Sequence, residues 1–350
     1  MVNIKPKLLY FNNWLKGHAV DILDNYSDID LVNLNFADKH DICDDTLSEF
    51  TGYQIMPRTE LDPHFLLNKV LIDKMDNLLA VCSTGSGYDM IDVVACTEAG
   101  IIVCNQAGTN KEAVAEHVFG LILALSKNII KANQDMRSID LLGRETLTGN
   151  DIFGKTLGII GIGHIGTRVA EIAKAFRLNV LSFDPYVDAK ETKSRYATKS
   201  DLATVLSTSD FITVHCPRTK ETINMFDSTA FQEMKAEAIF INTARGGIHN
   251  EQDLAKALSE NQITSAALDV WWDEPTQITH PLLKLDNVIA SPHIAGVTNQ
   301  ATANMGTQAA KQWKEIFAGK VPPRLINPET WDKYSHRFQR KFGFKPDTIL

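Results

Sequence analysis

Thr156-Leu157-Gly158-Ile159-Ile160-Gly161-Ile162-Gly163-His164-Ile165-Gly166-Thr167-Arg168-Val169-Ala170 reads as a strand, a tight turn and the start of a helix. Leu157 to Ile160 form a short apolar run. Gly161, Gly163 and Gly166 follow in G-x-G-x-x-G spacing, and a helical pattern begins at once through Ile165, Val169, Ile172, Ala173 and Phe176. A second apolar strand, Asn179 to Phe183, ends at Asp184, 18 residues past the last glycine. The first glycine permits the turn, the second lets backbone approach a pyrophosphate, and the third brings helix close to strand. The N–H groups and positive dipole end of the new helix then face the phosphates. A carboxylate at the end of the second strand accepts hydrogen bonds from a ribose 2′-OH. Glycines sit at many tight turns, so the spacing alone is weak evidence. With strand, helix, second strand and terminal acid all in place, it predicts a dinucleotide site. Asp184 would repel a 2′-phosphate, and the first cation after it is Lys190, so NAD is expected over NADP.

Strand and helix patterns continue on both sides of this unit. Upstream, Lys7 to Phe11, Leu31 to Phe36, Tyr53 to Met56, Leu78 to Cys82 and Ile101 to Cys104 read as strands. Helical stretches at Trp14 to Asn25 and Phe65 to Met75 lie between them, and Ser83-Thr84-Gly85-Ser86-Gly87-Tyr88-Asp89 makes a small-residue turn. Such alternation implies a parallel sheet. One long helix is expected over Lys111 to Asn133, then a polar excursion from Ser138 to Asn150. Downstream strands are expected at Phe211 to Cys216, Ala238 to Thr243, Ser265 to Val270 and Val288 to Ser291, with helices near Ser200 to Ser207 and Gln252 to Ser259. A last helix, about Asn299 to Ala318, would lead back to the first layer, and the tail after Gly319 shows no clear period. The fold class is α/β: two Rossmann- or flavodoxin-like domains with parallel sheets. The NAD domain, 109–297, is inserted into a substrate domain made of 1–108 and 298–350, with a cleft between them.

At 350 residues the chain is long enough for two cores. A net charge of −8 argues against non-specific binding to nucleic acid or an anionic membrane. Five scattered cysteines without a C-x-x-C suit a reduced cytoplasmic chain better than a disulfide framework or zinc site. Met1 to Tyr10 holds no apolar run of signal-peptide length. The longest apolar stretch, Phe119 to Leu125, is interrupted by Gly120 and falls short of a membrane span.

Three polar clusters follow apolar strands in the second half, where a doubly wound sheet places its ligands. Asn242-Thr243-Ala244-Arg245-Gly246-Gly247 puts an Arg just beyond a strand end. Asp269-Val270-Trp271-Trp272-Asp273-Glu274-Pro275 does the same with carboxylates, and Ser291-Pro292-His293-Ile294-Ala295-Gly296 with a histidine. The planar guanidinium of Arg245 suits an anionic substrate. Glu274 can hydrogen-bond one imidazole nitrogen of His293, fixing its tautomer and favouring the charged form. His293 can then move a proton to or from an oxygen while hydride passes to or from a nicotinamide.

These motifs resemble those of the D-isomer-specific 2-hydroxyacid dehydrogenases, such as phosphoglycerate dehydrogenase and hydroxypyruvate or glyoxylate reductase. The resemblance runs from about Leu78 to Gln308. It rests on the 161–166 loop with Asp184, on Val214-His215-Cys216-Pro217, and on the three clusters above, with Glu274 29 residues after Arg245 and His293 19 further on. It implies that Arg245 binds the substrate carboxylate and keto oxygen, Glu274 tunes His293, and His293 is the acid/base. It implies that Ser86 and Gly87 hold the substrate carboxylate through backbone N–H groups. It also implies cofactor contacts at Gly161, Gly163, His164, Ile165, Gly166, Asp184, Cys216, Pro217, Thr243, Ala244, Asp269 and Ala295, no metal, and a homodimer through the 111–150 region. His215 is read as cofactor-pocket wall, and Trp271 and Trp272 as packing or rim residues.

Departures from the family bear on substrate. Many phosphoglycerate dehydrogenases carry an Arg where this chain has Ser83, Ala107 replaces a usual proline, and no regulatory domain is expected after residue 350. A small 2-keto acid such as glyoxylate, hydroxypyruvate or a keto sugar acid is at least as plausible as a phosphorylated one. Two alternatives stay open: an NAD-sensing protein like the corepressors that share this fold, and hydride transfer on another small anion such as formate or phosphite. Formate dehydrogenases usually pair the His with Gln, so Glu274 favours a keto acid.

Overall fold

The computed structural model describes residues 5–12, 14–15, 18–40, 42–58, 60–138 and 143–349. The chain divides into two compact units, Met1–Asn110 with Asn299–Leu350, and Lys111–Thr298.

The first unit is built on five parallel strands: β1 (Lys7–Phe11), β2 (Asp30–Leu34), β3 (Gly52–Ile55), β4 (Ala80–Ser83) and β5 (Ile102–Cys104), in the order β2-β1-β3-β4-β5. Alternate side chains feed opposite faces, as the pleat requires. Leu9, Phe11, Val81 and Val103 join one core, while Leu8, Tyr10, Ala80, Cys82, Ile102 and Cys104 join the other. Burial on both faces is what a parallel sheet needs, because its crossover helices lie on both sides.

The tail differs from its sequence reading. Trp331–Phe342 is an α-helix whose Trp331, Tyr334 and Phe338 are buried against the second face. Its i, i+3, i+7 spacing was present among charged residues. Two other expected helices are shorter: Ala19–Asp24 in place of Trp14 to Asn25, and a 3-10 turn Pro63–Phe65 followed by Lys69–Ile72 in place of Phe65 to Met75. Asn68 explains the second break. Its side chain accepts the Leu71 N–H and so starts a new helix inside the stretch.

The second unit holds seven parallel strands: β6 (Thr156–Ile160), β7 (Asn179–Phe183), β8 (Thr198–Lys199), β9 (Phe211–Val214), β10 (Ile239–Asn242), β11 (Ser265–Leu268) and β12 (Val288–Ala290). Their order is β12-β11-β10-β9-β6-β7-β8. The chain builds outward from β6 to β8, then returns to β9 on the other side of β6. That reversal opens a crevice at the carboxyl ends of β6 and β9, the position where such sheets take ligands.

The expected single helix over Lys111 to Asn133 is two, Lys111–Ser126 and Ile129–Ser138, with a bend of 59° between them. Asn128 sits at φ 53°, and that left-handed residue ends the first helix. The polar excursion falls partly on 139–142, outside the described residues; Arg144–Leu147 within it is a 3-10 turn. Among the described residues no single helix is long and apolar enough to cross a membrane.

Candidate active site

The glycine loop leaves β6 at the crevice. Gly161 has φ 92°, and a Cβ there would meet the Cys216 backbone nitrogen, at the end of β9, at 2.8 Å. A Cβ on Gly166 would lie 2.1 Å from the Gly161 carbonyl oxygen, so only glycine lets the helix His164–Ala175 start this close to the strand. A Cβ on Gly163 would meet nothing within 4 Å, which leaves its backbone open to a phosphate. His164 beside it is exposed and Ile165 half-buried.

Asp184 closes this loop onto the second strand. One oxygen accepts the Ile162 N–H at 3.0 Å and the other the Tyr186 N–H at 3.0 Å. A carboxylate has about four acceptor positions, so capacity for a ribose hydroxyl remains. The fold also brings in a cation that sequence order hid. Arg195 donates through Nη1 to the Ile162 carbonyl at 2.5 Å and pairs with Glu191 through Nη2. The Ile162 peptide is thus held at both ends, by Asp184 and by Arg195.

Among the described residues, two buried polar atoms at neighbouring strand ends have no hydrogen-bond partner: His215 Nδ1 and Thr243 Oγ1. Native structures rarely leave such groups unpaired, and a polar ligand at the crevice would satisfy both. The other His215 nitrogen meets Thr213 Oγ1 at 3.0 Å. Burial lowers the His215 ring to about 3, so it is a neutral imidazole at neutral pH and cannot serve as an imidazolium acid. Burial likewise pushes the Cys216 thiol up to about 12, which makes it a pocket wall and not a nucleophile.

The three clusters after β10, β11 and β12 come together on the same edge. His293 Nδ1 lies 2.7 Å from Glu274 Oε2, with the Glu274 side chain 16% exposed. Glu274 Oε1 accepts the Trp271 N–H at 2.9 Å. Burial by itself pushes the Glu274 carboxyl up. The hydrogen bond and charge of His293, the Trp271 N–H and the field of Arg245 outweigh it and hold it below its ordinary value. Arg245, just past β10, donates through Nη1 to the Ala244 carbonyl at 2.6 Å. Asn242 shapes that turn, donating to the Arg245 carbonyl at 2.9 Å and accepting the Ala244 N–H at 2.9 Å.

His293 has φ 57°, a left-handed conformation that costs about 1–3 kcal/mol for a residue with a side chain. Asp269 offsets this. Its carbonyl accepts the His293 N–H at 2.7 Å. Its buried carboxylate accepts from Ser291 Oγ at 2.6 Å and from the Ile294 and Ala295 N–H groups at 2.8 Å each. Asp269 and Ala295, expected among the cofactor contacts, are joined to each other in holding the His293 loop.

The Glu274 shift has a testable sign. The folded value lies below the unfolded one, so the stabilisation is complete above the ordinary 4.5 and is lost as pH falls through the folded value. The difference in thermal midpoint between the protein and Glu274→Gln is therefore expected to close as pH drops below 4.5. A difference independent of pH would show that the carboxylate charge contributes nothing.

In the first unit, the Ser86–Gly87 loop is held from behind by its carbonyls. Gly85 accepts the Gln106 N–H at 2.9 Å, Ser86 accepts from Asn105 Nδ2 at 2.8 Å, and Gly87 accepts from Ser83 Oγ. The N–H groups of Ser86 and Gly87 donate to no group among the described residues. Paired N–H groups of this kind form an anion-binding concavity.

Residues 119–295 match the model of the D-isomer specific 2-hydroxyacid dehydrogenase NAD-binding domain. The chain is 37% identical over 272 residues to a D-3-phosphoglycerate dehydrogenase of Archaeoglobus fulgidus, covering 78% of this chain and 51% of that protein. It is 37% identical over 265 residues to a glyoxylate reductase of Thermofilum pendens, covering 74% and 78% respectively. It thus spans about half the length of the phosphoglycerate dehydrogenase and most of the reductase. Among solved structures, D-lactate dehydrogenase from Aquifex aeolicus, complexed with NAD and lactic acid, superposes with a TM-score of 0.77 at 27% identity, over 89% of this chain and 96% of that one. The chain belongs to the D-isomer specific 2-hydroxyacid dehydrogenase family, and its second unit carries that family's NAD-binding domain.

Proposed function

We propose that the protein reduces a small 2-keto acid to its D-2-hydroxy acid with NADH, His293 serving as the acid. The observation that carries this reading is the 2.7 Å contact between His293 Nδ1 and Glu274. It occupies one ring nitrogen and leaves the proton to be moved at Nε2. Bound NADH supplies the hydride to the keto carbon; Gly161, Gly163, Gly166, Asp184, His215 and Thr243 would hold it. His293, as imidazolium, protonates the keto oxygen and becomes neutral imidazole, while Glu274 holds the ring through Nδ1. Arg245 holds the carboxylate and keto oxygen by its planar fork. The Ser86–Gly87 N–H groups receive the carboxylate.

A non-phosphorylated substrate fits better than a phosphorylated one. Ser83 is buried and its hydroxyl is spent on the Gly87 carbonyl, so that position offers a distal phosphate neither charge nor donor. The free, unpaired thiols accord with a cytoplasmic protein. A homodimer through 111–150 accords with the exposure of Ile129, Ile130 and Met136, apolar side chains that monomers rarely group at the surface.

The test is NADH oxidation against glyoxylate, hydroxypyruvate, pyruvate, phosphohydroxypyruvate, 2-ketogluconate and branched-chain keto acids, with NADPH run in parallel. Turnover of a non-phosphorylated keto acid with NADH is expected. Intact NADH binding without turnover on any member of the panel would overturn the reading in favour of an NAD sensor.

A further inference from the structure

We propose that Trp271 is a positioning residue, whose indole N–H and peptide N–H lock the Glu274 and His293 loops into register. Trp271 lies three residues before Glu274 and touches neither reacting atom, yet three loops of the site meet on it. Its indole Nε1–H donates to the Ser291 carbonyl at 3.1 Å, two residues before His293. Its peptide N–H donates to Glu274 Oε1 at 2.9 Å. Its carbonyl faces Gly246, the residue after Arg245, so closely that a Cβ added there would lie 1.8 Å from the oxygen.

A clamp of this kind works only if its own ring is fixed. Trp271 is buried, and its ring meets the His280 imidazole edge-on at 5.4 Å. His280 is held in turn. Its Nε2 lies 3.1 Å from Glu251 Oε2, and its Nδ1 accepts the Leu282 N–H at 3.3 Å. Glu251 Oε1 accepts the Trp272 N–H at 2.8 Å, so the same carboxylate braces the backbone next to Trp271. The loop that presents Glu274 is thus anchored on both sides of Trp271. The indole N–H carries this anchorage across to the histidine loop, beside the His293–Glu274 contact and the Asp269 bonds that already reach it. Near-attack geometry tolerates little error, and a misplacement of about 1 Å far from the reacting atoms can cost about 100-fold in rate.

The catalytic consequence rests on the keto-acid reductase reading; the mechanical part does not. Trp271→Phe keeps an aromatic ring, removes the indole donor and leaves a smaller buried side chain. Amide hydrogen exchange in 288–297 should accelerate about fivefold, the equivalent of one lost hydrogen bond, with exchange in β6 and β7 unchanged. The kcat for the accepted keto acid should fall about tenfold, with NADH affinity and KM within about twofold. Unchanged exchange, or faster exchange with unchanged kcat, overturns the positioning role. Loss of NADH binding together with a general loss of protection assigns Trp271 to core packing alone, and also overturns it. If the unsubstituted protein reduces no keto acid while the Trp271→Phe loop still loosens, the clamp stands and the substrate reading falls.

Discussion

His293→Ala is expected to lower keto-acid turnover by about 100- to 10,000-fold while leaving the NADH dissociation constant within about twofold. A positioned general acid contributes rate in that range, and alanine can neither donate a proton nor answer Glu274. The dinucleotide would be held by the Gly161–Gly166 loop and Asp184, which are packed around β6 and β9 and make no hydrogen bond to the His293 ring. Losses on the two sides of the site should therefore separate. His215 cannot substitute, because burial holds its ring at about 3. The measurement is steady-state turnover beside NADH binding followed by fluorescence. Turnover close to that of the unsubstituted protein would remove His293 from the mechanism, and with it the role given to Glu274.

Gly166→Ala should act on the opposite side. The added Cβ meets the Gly161 carbonyl oxygen at 2.1 Å, a backbone atom with no rotamer to change. Either the helix His164–Ala175 moves off the strand or the Gly161 peptide turns. Both shift the N–H groups that would face a pyrophosphate. Overpacking against a fixed neighbour costs about 1–3 kcal/mol. If that cost falls on the bound state, the NADH dissociation constant rises about 5- to 150-fold. Titration of NADH into the variant, with circular dichroism to confirm that it remains folded, reads the outcome. A dissociation constant unchanged from the parent would mean that the loop does not hold the pyrophosphate.

These two expectations draw on different kinds of information. The glycine loop was legible in the sequence because every part of it is local: strand, turn, helix and second strand follow one another within 30 residues. Each strand end that carries chemistry was legible for the same reason, since an apolar run followed by Arg245, Glu274 or His293 is a short-range pattern. The helix at Trp331–Phe342 was also legible in principle. Its aromatic residues keep helical spacing, but they are diluted by five exposed charged or polar neighbours, Asp332, Lys333, His336, Gln339 and Arg340. The bend at Asn128 was not, because asparagine is compatible with a continuing helix and only packing selects its left-handed conformation.

By itself, then, the sequence determined every strand but the two-residue β8, that the strands run parallel, where the dinucleotide loop lies and which side chains stand at the strand ends. Beyond the Glu274–His293 pair, already expected from the sequence, the tertiary structure decided who meets whom. Strand order places β10, β11 and β12 side by side, and from that adjacency come the His293–Glu274 contact, the burial of Asp269 beneath the histidine loop and the reach of Trp271 to Ser291; on the other half of the sheet, the adjacency of β6 and β7 goes with the approach of Arg195 to Ile162. The physical reason is range. Backbone preference and hydrophobic periodicity act over a few residues and are written in composition. The contacts that position catalytic groups join residues far apart in the chain, and they exist only once burial of both sheet faces has set the order of the strands.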